Sequence, residues 1–84
     1  MIAGNGHLVI TLREISITYD SRRDRPRAIA YSMGADAVEG AKVLITSGRQ
    51  AQEHTKQLQL RGIGNSIRET IDEILRTGTS RRLL

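Results

Sequence analysis

Apolar residues recur along this chain at spacings of three and four, interrupted by glycine and proline, and that pattern predicts four short helices. Between His7 and Tyr19, Leu8, Leu12, Ile15 and Tyr19 fall on one helical face. The β-branched run Ile15-Ser16-Ile17-Thr18 leaves a strand open as an alternative there. Residues 1–6 read as a flexible leader, and the charged stretch Asp20 to Arg25 as a linker or helix end. Pro26 suits the first turn of a second helix, where its missing N–H is not needed. That helix runs to about Glu39 and carries Ala28, Ile29, Ala30, Tyr31, Met33, Ala35, Ala37 and Val38, small enough in places for close helix–helix approach. Gly40 is its expected stop.

The link Ala41-Lys42-Val43-Leu44-Ile45 is apolar enough to pack inward. Thr46 or Ser47 then caps a third helix, with Gln50 or Glu53 near capping-box spacing, and the helix runs to about Leu58. A final helix from about Ser66 to Thr77 places Ile67, Ile71, Ile74 and Leu75 inside, and Gly78 ends it. Four helices with tight connections and no internal repeat make a compact all-α domain over residues 7–84. The tail Thr79-Ser80-Arg81-Arg82-Leu83-Leu84 is basic, then apolar, a place where a longer chain continues or a partner docks.

Between the third and fourth helices lies Leu60-Arg61-Gly62-Ile63-Gly64-Asn65-Ser66-Ile67. Two glycines allow a tight turn and close approach to another molecule. The helix start behind them offers unpaired N–H groups and partial positive charge, which together make a socket for phosphate. The bland reading is a helix–helix turn with no ligand. Arg61 and Arg68 flank the glycines and favour contact with a nucleic-acid backbone, without sequence preference.

Composition narrows the function. The 84 residues carry a formal net charge of +4, and of the 13 basic residues only Lys42 and Lys56 are lysine. Arginine's planar fork suits phosphate oxygens, though charge alone fits a solvated surface equally well. Tyr19 and Tyr31 are the only aromatics, too few for a single-strand stacking platform. Absence of cysteine excludes disulfides and thiolate zinc sites and fits an intracellular protein. No apolar run approaches the roughly 20 residues of a membrane span, so no membrane partner is expected. No signal peptide is evident.

His7 and His54 stand alone, which argues against a metal site. The serines lack a His–Asp context for a nucleophile. Arg22-Arg23-Asp24-Arg25 reads as a solvated loop, and Glu69, Asp72 and Glu73 as a polar outer face with pairs to Arg76.

Two segments resemble the N-terminal 8-kDa domain of the family X DNA polymerases, the polymerase beta and lambda type. One is Arg27 to Val38, with a basic residue and a tyrosine one turn apart. The other runs from Leu60 to Gly78 and is similar to that family's C-terminal helix-hairpin-helix motif, including the closing Thr77-Gly78. Ile45-Thr46-Ser47-Gly48 resembles the start of the family's third helix. The resemblance implies a domain gripping the 5′-phosphate side of gapped or nicked double-stranded DNA in repair, attached to a polymerase domain or meeting one, or other repair proteins, as partner. It implies a nuclear location in a eukaryote.

By position, it implies that Arg27, Tyr31 and Arg82 lie near the 5′-phosphate. It likewise implies that the amides of Gly62, Ile63 and Gly64 meet the DNA backbone and that a sodium or potassium ion sits on the Gly62 and Gly64 backbone; the neighbouring Arg61, Ser66 and Arg68 are expected to add phosphate contacts, and no other cofactor is expected. The reactive lysine of the lyase-competent members matches Thr70, another basic position matches Ser66, and a small alanine matches Arg68. A threonine cannot form an imine, so lyase chemistry is expected to be absent. Two rivals stand beside this reading. One is a lyase using Lys42 or Lys56. The other is a protein-docking helix-hairpin-helix domain, as at the start of crossover-junction endonucleases.

Overall fold

A computed structural model describes all 84 residues, in four α-helices with no strand. They are α1 (Gly6–Ser21), α2 (Arg25–Glu39), α3 (Gly48–Gln57) and α4 (Asn65–Thr77), with 3-10 turns at Ala3–Asn5 and Arg81–Leu83. The strand alternative at Ile15–Thr18 does not form. Thr18 Oγ1 donates to Glu14 O and Ser21 Oγ to Thr18 O, so the hydroxyls bond back to the helix rather than compete with it.

Local chemistry sets the ends. Asp24 caps α2 by accepting from the Arg27 amide, with Pro26 in the first turn. Ser47 caps α3 by accepting from the Gln50 amide, while Gln50 Oε1 accepts from the Thr46 amide. Gly78 ends α4 in the left-handed conformation, φ 83°.

α1 and α2 form one antiparallel pair, joined by three residues and braced along their length. Ser16 Oγ donates to Ala28 O at one end, and Arg13 Nη2 reaches both Asp36 and Glu39 at 3.0 Å near the other. α3 packs chiefly on α4. The core between the pairs comprises Leu8, Leu12 and Ile15 of α1, Tyr31, Ala35 and Val38 of α2, Ala51 of α3, Ile63 of the hairpin, and Ile67, Ile71 and Ile74 of α4. No helix is long and apolar enough to cross a membrane.

Three expectations need correction. The first six residues are not a free leader. Asn5 is 1% exposed, its Nδ2 donates to Val43 O at 3.0 Å, and its Oδ1 accepts from the Ile45 amide at 2.9 Å. One side chain thus pins the α2–α3 link, forty residues away in sequence. Only Ala41 and Ile45 of that link are buried; Val43 and Leu44 face outward. Leu75 is 45% exposed, because the buried arc of α4 centres on Ile67, Thr70, Ile71 and Ile74, and Leu75 lies roughly 90° round the helix from that centre.

Candidate nucleic-acid interface

The chain leaves α3 through Gln59, which takes φ 58°, while the Leu60 amide bonds back to Thr55 O at 2.8 Å. Gly62 follows at φ 137°, a conformation side chains rarely adopt. A Cβ there would lie 2.5 Å from Met33 O. Gly34 faces it on α2, where a Cβ would meet Gly62 O at 3.2 Å and Ile67 Cγ2 at 3.0 Å. The hairpin therefore runs flush against α2 and is required by the protein's own packing. Ile63 is buried and anchors it, and Gln52 Nε2 donates to Ile63 O at 2.9 Å.

Gly64 differs. Its φ of −80° and ψ of −178° suit any residue, and nothing lies within 4 Å of where a Cβ would stand. It caps α4 with no side-chain acceptor, and the first-turn amides of Asn65 and Ser66 have no acceptor within the protein. This exposed helix start opens onto a groove of about 1290 Å³ between α3, the hairpin and α2. Arg61 and Lys56 are exposed along it.

Arg68 is less free than expected. Its Nη1 donates to Gln52 Oε1 at 3.3 Å, bracing α3 to α4. Two of the three hairpin carbonyls accept hydrogen bonds. That of Gly62 lies against Gly34, that of Ile63 accepts from Gln52, and that of Gly64 accepts from the Arg68 amide.

A second cluster forms around Arg82. Glu73 holds the C-terminal turn to α4 by accepting from Ser80 Oγ at 2.6 Å and the Arg81 amide at 3.2 Å, which draws its carboxyl below the usual carboxylate range. Arg82 then reaches back into the domain. Its Nε donates to Thr70 Oγ1 at 3.1 Å, its Nη1 to the Tyr19 hydroxyl at 2.8 Å, and its Nη2 to Ser66 Oγ at 3.4 Å. The guanidinium lies 5.6 Å from the Tyr31 ring centre. Burial works against its charge, but the Tyr19 bond and the charge interactions with Tyr31, Tyr19 and Glu73 more than offset that, and its pKa is raised.

Tyr31 is 2% exposed, and its hydroxyl meets Thr70 Oγ1 at 2.7 Å. Thr70 Oγ1 in turn donates to Ser66 O at 3.0 Å. With that proton committed, Tyr31 is the donor to Thr70. Of the residues the resemblance places near the 5′-phosphate, Tyr31 has its hydroxyl buried and already bonded. Arg27 is exposed, paired with Asp24 at 2.7 Å, and stacked 5.7 Å from the Tyr19 ring centre. That pairing holds Asp24 below the usual carboxylate range and raises Arg27.

Ser66 links the two clusters, lining the groove and touching Arg82. Lys42 and Lys56 take no part in the bonds around Thr70; the Lys42 amide donates to His54 Nε2, locking the α2–α3 link onto α3. The acidic trio does not pair with Arg76. Asp72 Oδ1 accepts from the Gly48 amide at 2.7 Å, capping α3 from α4, and Glu73 holds the tail. Tyr19 was missed as a site residue because its partner Arg82 lies 63 positions away; its being one of two aromatics was the only signal.

No curated protein matches the chain. The family model for a helix-hairpin-helix domain matches residues 3–80, a span that takes in the Asn5 anchor, all four helices and the glycine hairpin, and the chain belongs to that family.

Proposed function

We propose that this domain grips gapped or nicked DNA through its phosphates, without reading sequence, and makes no covalent bond to it. Two features of the fold support the reading. The hairpin and the α4 start present unpaired amides at an exposed helix N-terminus flanked by Arg61 and Lys56, which suits a DNA backbone. The Arg82 cluster, with Arg27 at its margin, suits a terminal 5′-phosphate, because a guanidinium held charged and oriented binds such a group strongly.

The observation that carries the reading is Gly64. Neither its backbone angles nor its neighbours require glycine, and the open space above it leaves room for a backbone outside the chain to approach. Membership of the helix-hairpin-helix family supports DNA as that molecule. The resemblance to the 8-kDa domain of family X polymerases supports a repair role beside a polymerase, nuclear in a eukaryote. Thr70 is buried and bonded on all sides, with no amine to attack an abasic sugar.

Binding of short duplexes, with and without a 5′-phosphorylated gap and across a salt series, tests the reading. Affinity that falls steeply with salt and rises with the 5′-phosphate is expected. Borohydride trapping on a 5′-deoxyribose-phosphate end should yield no adduct; an adduct lost in Lys56→Ala would restore the lyase rival.

A further inference from the structure

The geometry points to Tyr19 as the hydroxyl that meets a terminal phosphate in this domain, forming with Arg82 and Arg27 a three-part anion clamp drawn from α1, α2 and the C-terminal turn. This rests on the phosphate reading above and deepens it.

Four tyrosine, serine and threonine hydroxyls lie around the Arg82 guanidinium, those of Tyr19, Tyr31, Ser66 and Thr70. Thr70 donates to Ser66 O and accepts from Tyr31 and Arg82, so its donor and both acceptor sites are taken. Tyr31 spends its proton on Thr70 and is buried. Tyr19 accepts from Arg82 Nη1 at 2.8 Å and Ser66 from Nη2 at 3.4 Å, and the proton of each has no acceptor in the protein; of the two, only Tyr19 also lies against Arg27. The Tyr19 side chain is only partly buried, so its proton is available to an arriving oxygen. An anion also finds Arg82 Nη1 beside it, and each terminal guanidinium nitrogen carries two N–H groups.

Tyr19 touches both cations. Its hydroxyl orients Arg82 and its ring lies under the Arg27 guanidinium at 5.7 Å, while the Tyr31 ring backs it at 5.6 Å between centres. One aromatic side chain thus fixes two positive charges on the same rim and adds a donor between them. A terminal phosphate monoester carries more free oxygens and more charge than a bridging phosphodiester, so it gains most from a converging set of donors. Asp24 faces the same rim and pairs Arg27, and an arriving phosphate competes with that carboxylate for the guanidinium.

The test compares wild type and Tyr19→Phe on one gapped duplex carrying either a 5′-phosphate or a 5′-hydroxyl. The ring is retained, so melting should be little changed. Affinity for the phosphorylated gap should fall about tenfold, with affinity for the hydroxyl gap unaltered. Arg82→Lys, which keeps charge but loses the fork, should remove much of the same preference. The double variant should lose less than the two single losses combined, since both act through one contact. Equal losses on both duplexes in Tyr19→Phe, or additive losses in the double variant, overturn the clamp while leaving DNA binding intact. A wild-type protein indifferent to the 5′-phosphate overturns the phosphate reading and the clamp with it; one that binds neither duplex overturns the DNA reading as a whole.

Discussion

The starts of α3 and α4 are both built at glycines sixteen residues apart, and they are finished in opposite ways. At α3, Ser47 accepts from the Gln50 amide, Asp72 reaches across from α4 to accept from the Gly48 amide, and Gly48 is buried. A Cβ on Gly48 would overlap the Arg68 carbonyl, so close approach of the two backbones demands glycine. At α4, Gly64 is exposed, has no side-chain cap, and has open space where a Cβ would stand. The first glycine serves the fold. The second is dispensable to the fold, which points outward for its purpose. Two glycines at neighbouring positions of a helix start, one the first helical residue and the other the cap, can therefore carry opposite meanings, and neighbouring atoms rather than residue type tell them apart.

The sharpest way to break this contrast is at its structural end. Gly48→Ala should destabilise the domain by about 3 kcal/mol, since a backbone carbonyl cannot move aside as a side chain can. Urea unfolding would show it, and a variant as stable as wild type would mean that the two helices are not packed as described. Asp72→Ala should cost about 1–2 kcal/mol by the same measurement, because it strips an acceptor from the first amide of α3. DNA affinity of the folded fraction should not change.

Arg61→Ala acts at the opposite helix start. It should leave unfolding unaltered and weaken binding to all duplexes alike, with the slope of log affinity against log salt reduced by about 1. The smallest effect is acid sensitivity. Ser80, Arg81 and Arg27 hold the Glu73 and Asp24 carboxyls below their ordinary values. Their contribution is complete above about pH 4.5 and is lost as pH falls through the lowered folded values. A melting series from pH 6 to pH 3 should lose stability over that lower range, and Glu73→Gln should flatten the loss.

The contrast also explains what could be read from sequence. All four helices and their ends were legible to within a few residues, because Pro26, Gly40, Ser47 and Gly78 act on adjacent backbone. The hairpin was legible for the same reason. Long-range side-chain bonds were not. Asn5 reads as part of a loose leader until Val43 and Ile45 are seen against it. Asp72 and Glu73 read as a solvated face, although one caps another helix and the other ties down the tail. The site shows the same division. Ser66, Thr70 and Arg82 converge in the fold, but the bonding that buries Tyr31 and frees Tyr19 depends on contacts between α1, α2, α4 and the C-terminal turn. Spacing along one helix could not reveal it.

The central claim is that Gly64 is kept open for a phosphate backbone, and the most direct test is Gly64→Val measured in two ways. Thermal unfolding should place the variant within about 1 kcal/mol of wild type, as expected for a side chain entering empty space at a cap glycine. Binding to a 5′-phosphorylated gapped duplex at low salt should fall at least about tenfold, because the β-branched side chain stands where the backbone must approach. Unchanged affinity in a folded Gly64→Val protein, or no wild-type affinity at low salt, would contradict the account.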